Sequence, residues 1–211
     1  MNIYKYEEQS MACSITGSNN KKRHMESEDV IYIQRTSEIC FYGLADGQTG
    51  KKYCSVGGKE VLKAIYRFVV DKGISRLKQY ECLDELQYEI IRATRETISL
   101  LAADQKAAKE EFASTIVAFA WDTRTGDYLI IHLGDGAIIG IQKEGELKML
   151  SSPENGLTTN QTWLTTSRDA LIHLRLCSGQ ISSYNRIIMF TDGADVLACG
   201  KNIPSGSKLL M

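Results

Sequence analysis

Apolar residues recur along this chain in two rhythms. A strand-like rhythm rich in β-branched residues runs through Val30, Ile31, Ile33, Ile39 and Phe41. It predicts strands over Val30–Arg35 and Ile39–Ala45, with an earlier one over Ala12–Gly17. Helical spacing follows. Leu62, Ile65 and Val69 predict a helix over 57–78, and Leu86, Ile90, Ala93, Thr97 and Leu101 predict a second over 82–110; Glu, Lys and Arg fill the opposite faces. The strand rhythm then returns as a meander over Ser114–Trp121, Tyr128–Leu133, Ala137–Gln142 and Glu146–Leu150. Residues 151–168, rich in Ser, Thr and Asn, predict a long loop, Ile187–Thr191 a late strand and Lys201–Met211 a frayed end. Strands, then helices, then strands joined by hairpin-type links predict an α+β fold with antiparallel sheets covered by helices.

Three apolar runs end in the same dipeptide: Phe41-Tyr42-Gly43-Leu44-Ala45-Asp46-Gly47, Ile130-Ile131-His132-Leu133-Gly134-Asp135-Gly136 and Ile187-Ile188-Met189-Phe190-Thr191-Asp192-Gly193. Strands of one sheet deliver such ends to a common rim, where three carboxylates repel one another unless a cation holds them. Hard divalent ions such as Mg²⁺ or Mn²⁺ favour oxygen ligands of this kind. Asp-Gly is also a common turn dipeptide. Asp135-Gly136 fits a plain turn best, with Ala137–Ile141 as the return strand of a hairpin. A structural α+β domain with three turn Asp-Gly pairs therefore stands beside the metal-site reading, and it predicts no specific divalent-ion binding.

Composition narrows the choice. The chain has 211 residues, 43% hydrophobic and 24% charged, which is enough for one domain with a sizeable core. Lys+Arg 25 against Asp+Glu 26 leaves a formal charge of −1, so no bulk attraction toward nucleic acid or a membrane is expected. No apolar stretch approaches the roughly 20 residues of a membrane span, and the start of the chain has no signal-peptide core. The six cysteines form no CxxC pair; Cys40 and Cys177 read as small core residues, and a reducing, cytoplasmic setting is expected. His132 reads as a core histidine inside an apolar strand, while His24 and His173 have no recognisable partner in the sequence. Trp121 and Trp163 read as packing residues. No Gly-rich phosphate loop occurs.

The ordered motifs resemble the metal-dependent serine/threonine phosphatases of type 2C (the PPM family), in particular a bacterial branch. The acidic pair after the family's first strand is matched by Glu28-Asp29, and its Asp-Gly-His-Gly signature by Asp46-Gly47-Gln48-Thr49-Gly50. Ala113-Ser114-Thr115 resembles the family's Gly-Ser-Thr strand. Gly134-Asp135-Gly136 resembles its Gly-Asp-Ser segment, and Thr191-Asp192-Gly193, with Asp195 beyond, its Ser-Asp-Gly segment. The loop Asn160-Gln161-Thr162-Trp163-Leu164-Thr165 is similar to one in the bacterial branch.

This resemblance implies two antiparallel β-sheets packed as a sandwich and flanked by helices, here as a single domain over 1–211. It also implies two Mn²⁺ or Mg²⁺ ions at one edge of the sandwich. Asp46 would bridge them, Glu28 (paired with Asp29) and the Gly47 carbonyl would help hold one, Asp192 would help hold the other, and Asp135 would match the place of a third, weaker ion. A water activated by both ions would hydrolyse phosphoserine or phosphothreonine in proteins, in a cytoplasmic signalling role with a serine/threonine kinase or its targets as partners. A monomer is expected.

Two departures from the family pattern bear on activity. Gln48 stands where the family has a His thought to protonate the leaving group, and no Asp or Glu follows Asp195 where a last metal-ligating Asp is expected, so the domain reads as short at its C-terminus. Arg23, the expected phosphate contact, lies one residue farther from Glu28 than the common spacing. These departures motivate the alternative of a weak or inactive phosphatase-like module that binds a phosphoprotein or regulatory partner.

Overall fold

The computed structural model describes residues 10–14, 27–79, 83–155 and 161–194. Strand β3 (Ile116–Asp122) is buried at every position because both of its faces are covered. It is the middle strand of a five-stranded antiparallel sheet, order β1-β2-β3-β4-β7, with β1 Val30–Arg35, β2 Ile39–Ala45, β4 Asp127–Leu133 and β7 Arg175–Gln180. A second antiparallel sheet has the order β6-β5-β8, with β5 Ala137–Gln142, β6 Leu147–Ser151 and β8 Tyr184–Phe190.

Side-chain alternation divides the core in two. Ile39, Phe41, Ile116, Ala118, Ala120, Leu129, Ile131 and Leu133 point to one side, where they pack with Val61, Leu62, Ile65 and Val69 of helix α1 (Cys54–Lys72) and Leu86, Ile90 and Ile98 of a later helix (Leu83–Asp104). Cys40, Val117, Phe119, Trp121, Tyr128 and Ile130 point to the other side and pack with Ile138, Tyr184, Ile187 and Met189 of the second sheet. The α+β sandwich flanked by helices is thus the observed architecture.

The expected helices are present with shifted ends. The first begins at Cys54 and stops at Lys72, followed by the short α2 (Ile74–Leu77). The second, now α3, ends at Asp104, and a 3-10 turn over Lys109–Phe112 replaces its expected last residues, burying Phe112 against Tyr53 at 5.2 Å. Four expectations need correction. Within Ala12–Gly17, residues 12–14 are not in a strand, and 15–17 lie outside the described residues. Ala137–Gln142 does not fold back on β4 as a hairpin: β4 pairs with β3 and β7, whereas β5 pairs with β6 and β8. Residues 134–136 therefore carry the chain from one sheet to the other. The segment Arg175–Gln180, not anticipated as a strand, forms the edge strand β7 after the short helix α4 (Ala170–His173). Cys177 is exposed there rather than buried, because the second sheet does not cover this edge.

Candidate metal centre

Strand register brings the acids together. Val30 pairs with Ala45, so Asp29 and Asp46 leave the ends of β1 and β2 side by side. Ala137 pairs with Phe190, so the segment holding Asp135 lies beside Asp192 at the end of β8. The Asp46 side chain is hydrogen-bonded to those of Asp29 and Asp192, and the charge of Asp135 reaches it as well. Glu28 stands next to this group and accepts from Thr49 Oγ1 and the Gly50 amide, both at 3.3 Å. Asp29 accepts from Ser27 Oγ at 3.5 Å and from Thr191.

The electrostatics follow from that crowding. Burial pushes the Asp46 carboxyl up to about 8, with further contributions from its hydrogen bond to Asp192 and from the charges of Asp29, Asp192 and Asp135. Burial also raises Asp29, as does the charge of Asp192, while hydrogen bonds from Asp46, Thr191 and Ser27 work against the rise. Two carboxyls within hydrogen-bond reach must share a proton or a cation. Among the described residues, no three acidic, His or Cys side chains are arranged so as to hold a metal ion; Asp46 instead pairs with Asp29 and Asp192.

The donor set still suits a hard divalent cation, since it consists of carboxylates and carbonyl oxygen. The Cys54 thiol beside it is raised by burial and by the charges of Glu28 and Asp46. Gly47 adds a second sign of fit. Its backbone pairs with Ser114. A Cβ at Gly47 would lie 2.6 Å from Cys54 Sγ and 2.8 Å from the Glu28 carbonyl oxygen. The backbone of Gly47 thus lies directly against the Glu28 segment only because it has no side chain. Glu28, Asp29, Asp46, Asp135, Asp192 and the Gly47 carbonyl are the groups available to hold ions.

The sequence profile described as "Protein phosphatase 2C" matches residues 16–204. The chain belongs to the protein phosphatase 2C family. No curated protein matches it at the level of sequence. Among solved structures, this phosphatase 2C chain resembles a bacterial serine phosphatase at 16% identity and TM-score 0.57, over 80% of this chain and 73% of that one. It resembles PppA of Pseudomonas aeruginosa at 14% identity and TM-score 0.55, over 83% and 74%. It also resembles RsbX, solved in complex with magnesium, at 12% identity and TM-score 0.50, over 85% and 69%. At these identities the likeness is one of fold.

In this family member, Asp29, Asp46, Asp135 and Asp192 come together, with Glu28 and Gly47 adjoining. Arg23 and Asp195 lie outside the described residues. Gln48 is exposed beside the site, its backbone N–H donating to the Ala113 carbonyl at 3.0 Å. Two features were not foreseen. Thr115 fixes the backbone at Asp46, a role for which Ser114-Thr115 was a faint signal. Trp163, His173, Glu154 and Arg175 form a cluster behind Asp135, and no local pattern in the sequence announces it. His173 Nδ1 lies 2.6 Å from Glu154 Oε1, and the His173 ring stacks on Trp163 at 3.7 Å. Among the described residues, no helix is long and apolar enough to cross a membrane.

Proposed function

We propose that this chain is a metal-dependent protein phosphatase that hydrolyses phosphoserine and phosphothreonine, using two Mn²⁺ or Mg²⁺ ions. The observation that carries this reading is the convergence of Asp29, Asp46, Asp135 and Asp192 from four separate segments of a phosphatase 2C chain. Asp46, at the centre of the group, is the proposed bridging ligand. Glu28, Asp29 and the Gly47 carbonyl serve one ion, Asp192 the other, and Asp135 a third, weaker one. Bound divalent ions supply a more acidic water and neutralise phosphoryl oxygens. The chain's own part is to hold like charges close together on the rigid ends of strands, so that little rearrangement is needed when substrate arrives. Arg23 is the proposed contact to the phosphate. The substrate is a phosphoprotein, with a serine/threonine kinase or its targets as partners.

Gln48 favours a second reading. An amide cannot give a proton to a leaving serine alkoxide, and general acid catalysis is worth about 10²–10⁴-fold. The same site then binds a phosphoprotein or regulatory partner with little turnover. Mn²⁺-dependent hydrolysis of a phosphothreonine peptide, with Asp46→Asn as control, separates the two. Turnover that needs metal and disappears in the variant supports the enzyme. Mn²⁺ binding lost in the variant, with no turnover by the unaltered protein, supports the binding module.

A further inference from the structure

The three residues 134–136 that cross between the sheets belong to neither ladder: β4 ends at Leu133 and β5 begins at Ala137. Gly134 has φ 116°, and a Cβ there would lie 2.7 Å from a Thr115 methyl carbon. Something outside the sheets must therefore fix this crossing, which carries Asp135. The Gly134 carbonyl accepts from two directions, from Arg175 Nη2 at 2.9 Å and from the Glu154 amide at 3.0 Å. Arg175 Nη1 also donates to the Ser152 carbonyl, and Arg175 Nε faces Glu154 Oε2 at 3.3 Å. One planar guanidinium thus ties the crossing to the loop after β6. Glu154 is itself held by His173, whose ring is clamped on Trp163.

We propose that Arg175 is a positioning residue for Asp135: its guanidinium fixes the Gly134 carbonyl and thereby sets where the Asp135 carboxylate stands. Arg175 touches no reacting group in this arrangement and acts through the backbone. Its geometry requires arginine, because a lysine ammonium cannot reach two separate carbonyls with one rigid fork. A surface ion pair with Glu154 alone would leave the Gly134 carbonyl out of account. The proposal rests on the phosphatase reading in one respect, that Asp135 serves the weaker ion.

The test is Mn²⁺ binding to the full chain, followed by electron paramagnetic resonance without substrate, so that tight and weak ions are counted separately. Asp135→Asn removes the carboxylate proposed to hold the weak ion and is expected to weaken it at least as much as loss of an outer partner, about tenfold or more. Arg175→Met is expected to weaken the same ion by a similar factor while the tight ions are unchanged. The double variant is expected to be no worse than Asp135→Asn alone. Should Arg175→Met fail to fold, Arg175→Lys carries the same cycle, since it keeps the charge and loses the fork. Losses that add in the double variant, or a loss shared equally by tight and weak ions, overturn the proposal and leave the phosphatase reading intact. An unaltered protein that binds no Mn²⁺ at all overturns both.

Discussion

His132 of β4 and Ser151 of β6 meet between the two sheets, with Nδ1 2.6 Å from Oγ. The imidazole is fully buried, and its Nε2 has no hydrogen-bond partner. Burial, helped by the charge of Arg175, lowers its pKa to about 3. The unfolded chain would protonate this histidine near 6.5. Between those values the unfolded state binds the extra proton, so stability falls as pH falls. The full contribution is present above about pH 6.5 and is lost toward pH 3, at about 1.4 kcal/mol per pH unit between the two values. Asp46, held up to about 8, contributes a slope of the opposite sign over the same range, so the histidine is read from the difference. In urea unfolding from pH 7.5 down to pH 5, the unaltered protein should lose more stability on acidification, or gain less, than His132→Gln. Equal slopes would mean that the histidine titrates alike in both states.

Thr115 and Asp46 hold each other in both directions: the Asp46 amide donates to Thr115 Oγ1 at 2.9 Å, and the Thr115 amide donates to the Asp46 carbonyl at 2.9 Å. Thr115→Val leaves the Asp46 amide without its acceptor and should cost about 1–3 kcal/mol in urea unfolding. The same change should weaken Mn²⁺ binding, because the freed backbone carries the central carboxylate. Thr115→Ser keeps the hydroxyl and should retain binding.

Gly47→Ala places a methyl group against Cys54 Sγ and the Glu28 carbonyl. The backbone must move, and a misplacement of about 1 Å near a catalytic group costs on the order of 10²-fold in rate. Loss of metal-dependent phosphopeptide hydrolysis on that scale is expected. Gly47→Ala with Cys54→Ala removes the thiol contact alone and should recover activity only in part. Full recovery would show that the Glu28 carbonyl does not constrain this position.

Binding of Mn²⁺ should stabilise the fold, since the acids that hold it are brought together only by folding. At a concentration 100 times the dissociation constant, the gain is about 2.7 kcal/mol, visible as a higher Tm that chelator reverses. Asp46→Asn should abolish the shift. A shift that survives in Asp46→Asn would place the ion elsewhere.

The parts of this fold that are legible in the sequence are those with one physical cause. β2, β3 and β4 could be read because packing on both faces demands nearly continuous apolar residues. Asp46, Asp135 and Asp192 stood out because each follows such a strand directly. β7 is hidden because an edge strand tolerates polar residues: Arg-Leu-Cys-Ser-Gly-Gln has no alternation strong enough to be seen. The course of the chain after Asp135 was misjudged for a different reason. Asp-Gly before a second apolar run has the chemistry of a tight turn, and only the competition of β7 for the edge of β4 and of β8 for β5 sends the two strands into different sheets. Arg175 and Gly134 are 41 residues apart, so their bond has no local trace.

Asp46 extends from the five-stranded sheet and Asp192 from the three-stranded one, yet their carboxyls are hydrogen-bonded. The acidic group is therefore a gauge of how the two sheets are aligned. A slip of one residue, about 3.3 Å along a strand, would carry Asp192 out of reach of Asp46. A substitution at Phe119, between the sheets, that shifts one sheet against the other should therefore change the spacing of these carboxylates.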